Sequence, residues 1–269
     1  MSRSGPEASA HIDAYCDLVP RADADVEVIG PFTLFVGRGG SAYYARPSAP
    51  FAEPTTLSDV ERVRQRQREL SVPESFEWIH EMNPRLADDV SAAGLSVSRL
   101  PLMVRKRKVH PRSPAGYSIR LVTADDPALG TVLAAIGLAF RNPGTAVGAI
   151  GAAEREEAAA AERPSLGRRS AIENGLTVLI AAEDASGAVA GGSHHPRGLT
   201  TEITGVATLP LYRRRGLGAA VTDALCRDAD ARGISLCFLS AGSVDIARVY
   251  QGVGFETVGT ACIGGPPAS

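Results

Sequence analysis

The 269 residues are enough for one large domain or two compact ones. With 44% hydrophobic and 22% charged residues the composition is that of a folded globular protein and excludes a disordered chain. A formal charge of −2, from 28 basic and 30 acidic residues, lacks the basic excess with which duplex binders offset phosphate, so no nucleic-acid partner is expected.

No apolar run reaches the roughly 18 residues of a membrane helix, and the opening MSRSGPEASAHIDAYC lacks the apolar stretch of a secretory signal. The expectation is a cytoplasmic protein with no membrane partner. Cys16, Cys226, Cys237 and Cys262 form no CxxC pair, and no histidine is spaced to complete a zinc site. Reduced, mostly buried thiols and no metal are expected.

In chain order, Val26–Val36 and Ala42–Ala45 read as strands separated by a turn at Gly37–Gly40. Leu57 and Ser58 open a polar helix with Val60, Val63 and Leu70 at helical spacing. Ser58, three residues before Glu61, has the form of a capping box. Phe76–Ile79 reads as a strand, Pro84–Ala93 as a helix stopped by Gly94, and Leu95–Val104 as another strand. The basic, proline-bearing RKRKVHPRSPAG that follows is read as a solvated linker between a lobe over 1–112 and a lobe over 113–269.

The second lobe reads as strand Tyr117–Thr123, helices Leu129–Phe140 and Ala152–Arg163, and strands Leu176–Ala182 and Ala188–Gly192 around the turn Asp184–Gly187. Strand Thr201–Leu209 ends at Pro210, which cannot donate to a ladder. Turn Tyr212–Gly218, helix Ala219–Ala231, strand Ile234–Ser240, helix Val244–Val253 and strand Phe255–Ile263 complete a mixed α/β order. Shifted by 160 residues, Ser75–Val97 lies over Ser235–Thr257 without a gap, and Gly94 meets Gly254. Such a repeat implies two versions of one fold.

In Val206–Leu225 a strand runs into a turn with Gly216 and Gly218, and a helix starts directly after. Such a turn leaves consecutive N–H groups aimed at one point, where the helix dipole also favours an anion. Arg213, Arg214 and Arg215 add positive charge. The residues alone fit either a phosphate cradle or a plain basic turn. Neither GxGxxG nor GxxxxGK[ST] is present.

The segment RRRGLG (Arg213–Gly218), preceded by a strand ending in VATLP and followed by a helix and then IARVYQGVGF, resembles the acyl-CoA pyrophosphate loop and the later helix of the GNAT N-acetyltransferase superfamily. The resemblance covers about Tyr117 to Ile263. It implies an α/β acyl-CoA N-acyltransferase fold with acetyl-CoA as co-substrate and an amine acceptor, a small molecule being favoured. The first lobe resembles a degenerate copy, as in tandem-GNAT proteins, because its loop position reads EPTTLS (Glu53–Ser58), without glycine or arginine. One CoA site is therefore expected, formed by Val206, Ala207, Thr208, Arg213, Arg214, Arg215, Gly216, Leu217, Gly218, Ala219 and Ser243.

Acetyl transfer needs a neutral amine, a donor to the tetrahedral oxyanion and an acid for the leaving thiolate. The resemblance implies Glu202 as general base, although an edge-strand carboxylate or a water chain are alternatives. It implies main-chain donors at Val206–Thr208 and Tyr250 as the acid, where the residues alone allow a core tyrosine. Two positions depart from the family: Ile246 stands where an alanine is usual, and Ser243 where many relatives have asparagine. His194 and His195, in GGSHHPRG, read as a surface loop, and His80 as a strand end near Glu77 and Glu81. A CoA-binding sensor without transferase activity is the alternative from another class; the oligomeric state is left open.

Overall fold

The computed structural model describes residues 5–38, 43–48 and 54–267. Two compact units emerge, one of residues 1–102 with 257–269 and one of residues 103–256. Both are mixed α/β.

The first unit begins with α1 (Gly5–Arg21), which the sequence analysis did not assign. Its signal is three buried residues, Ala8, Ile12 and Tyr15, at i, i+4 and i+7. The stretch expected as one strand is a hairpin, β1 (Ala24–Ile29) and β2 (Phe32–Gly37), because Gly30 turns the chain at φ +56°. β3 (Ala45–Pro47) lies antiparallel to β2 and parallel to β4 (Phe76–Ile79). Ala42, Gly39 and Gly40 of the expected strand and turn, and Glu53 of EPTTLS, fall outside the described residues.

Helix α2 (Leu57–Glu69) has its capping box two residues earlier than expected, at Thr56 and Asp59 instead of Ser58 and Glu61. Its buried Val60 and Val63 meet Phe32, Leu34 and Phe76. α3 (Leu86–Ala92) ends before Gly94, whose φ is +84°, and β5 (Ser96–Arg105) follows. The end of β11 (Phe255–Gly265) adds antiparallel to β4 through Ala261–Gly264.

The second unit carries β6 (Ser118–Val122), α4 (Leu129–Arg141), α5 (Ala152–Ala161), α6 (Leu166–Glu173), β7 (Val178–Asp184), β8 (Gly187–Arg197), β9 (Thr200–Thr208), α7 (Leu217–Ala231), β10 (Leu236–Ser240) and α8 (Val244–Gln251). Strands run in the order β6-β7-β8-β9-β10, antiparallel except for the parallel pair β9 and β10. On one face, Leu217, Val221 and Leu225 of α7 pack against Val189, Ile203 and Leu239. On the other, Val132 and Leu133 of α4 meet Leu179 and Ala181.

Two features of this unit go beyond the sequence expectations. α6 was missed because it buries no side chain and so carries no apolar stripe. The basic segment after β5 is tethered at several points, although Arg107, Lys108, His110 and Arg112 stay exposed as expected. Arg105 donates to Cys226 O and Asp230, Lys106 N to Gly254 O, and His110 pairs with Asp223, so four acidic or carbonyl partners hold it.

The 160-residue register extends beyond the segment that suggested it. α2 and α7 start at Leu57 and Leu217, β4 and β10 at Phe76 and Leu236, and β5 and β11 within one residue of the same offset. Gly94 and Gly254, at φ +84° and +94°, terminate the helices α3 and α8 alike.

Candidate active site

The site begins with a defect in a ladder. β8 and β9 pair as His194↔Ile203 and Ser193↔Thr204, and then as Gly191↔Ala207 and Ala190↔Thr208. Gly205 and Val206 thus stand opposite Gly192 alone, which is a β-bulge. Gly205 adopts φ +65°, which a side chain would resist. Gly192 is equally constrained, since a Cβ there would come within 2.9 Å of Val206 Cγ2.

On its other edge β9 pairs with β10 at Thr200, Thr201 and Glu202, and no pairing is recorded among the described residues further along. Leu209 N donates to Val189 O, so the alternation of the antiparallel ladder turns the main chain of Thr208 away from β8. The strand edge at Val206, Ala207 and Thr208 opens into a cavity of about 830 Å³.

The start of α7 forms a second wall, through Gly216, Leu217, Gly218 and Ala219. Gly216 is the N-cap, at φ +81° and ψ 2°, and offers no side chain to the helix. The first-turn N–H groups therefore have no side-chain cap and no intrahelical partner. Gly218 is not required by protein packing, because a Cβ there would meet nothing nearer than Val249 Cγ1 at 3.9 Å. Its missing side chain leaves room in the cavity instead.

The three arginines before this turn differ in their engagement. Arg213 lines the cavity, yet its guanidinium donates to four main-chain carbonyls, those of Thr208, Ala146, Ala139 and Asn142. Burial pulls its pKa down. Arg215 donates to Tyr117 Oη at 2.7 Å and to Leu211 O, and stacks over the Tyr212 ring at 5.2 Å. Arg214 is exposed at φ +65° and lines the cavity.

Helix α8 supplies the third wall. Ser243 caps it by accepting from Ile246 N at 3.2 Å, and Ala247 and Tyr250 are buried. Tyr250 packs edge-on to Phe255, with ring centroids 6.1 Å apart, and also lines the cavity. Burial pushes its pKa up to about 12, so the phenol stays protonated through the physiological range.

Glu202, Arg215 and Ser243 are not among the cavity-lining residues, whereas the other expected site residues are. Glu202 stands in β9 between His195 of β8 and Phe238 of β10. The two histidines read as a surface loop lie inside β8, one on each face. His194 is fully buried between Thr201 Oγ1 and Asp228 Oδ2, both at 3.0 Å. His195 bonds Thr204 Oγ1 at 2.9 Å and Thr177 Oγ1 at 3.1 Å, and burial holds it neutral with a pKa pushed down to about 4.

Residues 108–255, more than half of the chain, match the sequence model of the Acetyltransferase (GNAT) family. The chain belongs to the GNAT acetyltransferase family. Acetyl transfer is the family's general chemistry and acetyl-CoA its donor. A GCN5-related N-acetyltransferase from Kribbella flavida is similar over 97% of this chain and 96% of its own, at 23% identity and a TM-score of 0.69. One from Sphaerobacter thermophilus is similar over 98% and 93%, at 15% identity and a TM-score of 0.58. A tandem GNAT protein from the clavulanic acid biosynthesis pathway shares the fold over 87% and 77%, at 15% identity and a TM-score of 0.52. No curated protein matches the chain.

Several residues at the site of this GNAT chain escaped the sequence analysis. Gly205, which shapes the bulge beside the cavity without lining it, had a readable signal, a glycine inside a strand pattern. Phe140, Pro143, Gly144 and Thr145 line the cavity from the end of α4 and the loop after it. They carry no motif, and only the folded chain brings them to α7.

Proposed function

We propose that the second unit is an acetyl-CoA-dependent N-acetyltransferase that moves an acetyl group to a primary amine of a small molecule by direct attack in a ternary complex. The observation that carries this reading is the convergence on one cavity of an unpaired strand edge, an uncapped helix N-terminus and a protonated tyrosine. Bound acetyl-CoA would supply a thioester carbonyl and a thiolate leaving group.

The residues fit that molecule. The N–H groups at Leu217–Ala219, with the helix dipole behind them, suit a pyrophosphate, and the absent Cβ of Gly218 gives it room. The β9 edge at Val206–Thr208 offers peptide groups for the pantetheine amides and for an oxyanion, a donor of the latter kind contributing roughly 3 kcal/mol. Tyr250 donates a hydrogen bond to the departing sulfur. With a phenol near 12 and a free thiol near 8.5, full proton transfer in water would run uphill. Burial of the sulfur beside Tyr250 would raise the thiol in turn, which narrows that gap.

Glu202 is the proposed base, acting at the cavity through solvent because it is not itself part of the lining. The test is steady-state release of CoA thiol with a panel of small primary amines and a lysine peptide. A small amine turned over faster than the peptide is the expected result. Glu202→Gln should then lower kcat about ten-fold or more and remove the acidic limb of the kcat profile. An unchanged profile would take Glu202 out of the mechanism.

A further inference from the structure

The histidine pair of GGSHHPRG takes no part in the chemistry above, yet both rings are engaged. His194 and His195 project to opposite faces of the sheet, and each reaches a threonine of β9. His194 Nδ1 meets Thr201 Oγ1 and its Nε2 meets Asp228 Oδ2 of α7, both at 3.0 Å. His195 Nε2 meets Thr204 Oγ1 at 2.9 Å, and its Nδ1 meets Thr177 Oγ1 at 3.1 Å.

The hydrogen bonds of His195 have a fixed direction. Its ring is neutral, so one nitrogen carries a proton and the other accepts. The ring also bonds the carbonyl of Leu176, the neighbour of Thr177, and a carbonyl only accepts. The proton therefore sits on Nδ1, and Nε2 accepts from the Thr204 hydroxyl, with Ser193 Oγ further off at 3.3 Å. Thr204 Oγ1 in turn accepts from Ser193 Oγ at 3.1 Å. Ser193, Thr204, His195 and Leu176 thus form one directed chain across β8, β9 and the approach to β7.

This chain sits on the last regular pair before the bulge, Ser193↔Thr204. Beyond it come Gly191 and Gly192 on β8 and Gly205 on β9, and a glycine-rich ladder specifies its register weakly. A slip by one residue there would bring Val206 opposite Gly191, where Ala207 now stands. Different main-chain groups would then face the cavity. Side chains are needed to hold the register, and the directed chain supplies them.

We propose that His195 is a positioning residue of the second unit: through Thr204 it locks the register from which the β9 bulge departs, and so fixes the strand edge at the cavity. The lock stands on the hydrogen bonds alone, whereas its effect on turnover rests on the acetyltransferase reading above. His194 serves the opposite face, where Asp228 ties it to α7.

Amide hydrogen exchange of the ligand-free chain and steady-state release of CoA thiol, with the best amine of the panel, would be measured well below Tm. The proteins are wild type, His195→Ala, Thr204→Val, Thr204→Ser and His194→Gln. Thr204→Val removes only the hydroxyl and is the milder variant should His195→Ala fold poorly. Both are expected to speed exchange at 205–208 by about ten-fold or more and to lower kcat about ten-fold, with Thr204→Ser restoring both. His194→Gln is expected to lower Tm and speed exchange around Asp228, with 205–208 following no more than the rest of the sheet.

Wild-type exchange at 205–208 in Thr204→Val, or a selective acceleration there in His194→Gln as large as in Thr204→Val, would overturn the lock. Faster exchange with an unchanged kcat would overturn the positioning role. Wild type that transfers no acetyl group would overturn the acetyltransferase reading, and the exchange data would still decide the lock.

Discussion

The N-termini of α2 and α7 begin 160 residues apart and differ in what caps them. At α2, Thr56 Oγ1 accepts from Asp59 N at 3.3 Å, and Asp59 accepts from Thr56 N at 3.0 Å. The first turn thus carries its own anion, held further by Arg62. At α7 a left-handed glycine leaves the first turn without a side-chain cap, facing a cavity. The same helix start is self-satisfied in one unit and has no side-chain cap in the other, where the proposed donor would sit. A site of this kind is made by removing a cap as much as by adding arginines.

The comparison is broken most severely by giving α7 what α2 already has. Gly218→Glu puts a carboxylate beside the open N–H groups, in a position with space for a Cβ. Acetyl-CoA at 100 times its wild-type Kd stabilises the native state by about 2.7 kcal/mol, an easily read shift in Tm. We expect that shift to vanish in the variant while its ligand-free Tm stays near wild type. A retained shift would mean that the anion sits elsewhere.

Next in size is Tyr250→Phe, which should lower kcat on the order of 10–100-fold and leave the Kd for acetyl-CoA within about three-fold. Since Tyr250 keeps its proton to about pH 12, kcat should show no falling limb from this residue below about pH 10. A basic limb near pH 9 that disappears in Tyr250→Phe would contradict the buried, protonated phenol.

The smallest effect belongs to the first unit. Thr56→Ala should cost about 1 kcal/mol of stability in a denaturant titration and leave acetyl-CoA affinity unchanged. Asp59 has its pKa held below the ordinary carboxylate value by hydrogen bonds from Thr56 and Arg62, against desolvation that raises it. A folded pKa below the unfolded one contributes stability above about pH 4 that is lost as pH falls through the folded value. The stability gap between wild type and Asp59→Asn should therefore be full at neutral pH and close in acid. A gap constant from pH 3 to pH 7 would sink that assignment.

Periodicity and turn chemistry made most of the elements legible. Phe76–Ile79 coincides with β4, and the glycines at 94, 233 and 254 all take the positive φ of helix stops. Two helices lie outside the sequence expectations for opposite reasons: α1 has a buried stripe of only three residues, Ala8, Ile12 and Tyr15, amid polar neighbours, and α6 has none. The loop leaves a mark in local sequence through its glycines and arginines, whereas Tyr250 is singled out only by the family resemblance, since its own spacing equally fits a core tyrosine. The engagement of Arg213 leaves no mark, since Ala139, Asn142 and Ala146 lie some 70 positions away and contribute carbonyls, which every residue has. His195 was misread because strand β8 continues five residues past Gly192, with polar side chains satisfied by threonine hydroxyls.

The central claim is that one helix N-terminus in this chain takes the donor and its counterpart does not. Calorimetric titration of the full chain with acetyl-CoA tests it most directly, run beside Gly218→Glu. The account predicts one molecule bound per chain and none in the variant. Two molecules per chain, or one that persists in Gly218→Glu, would contradict it.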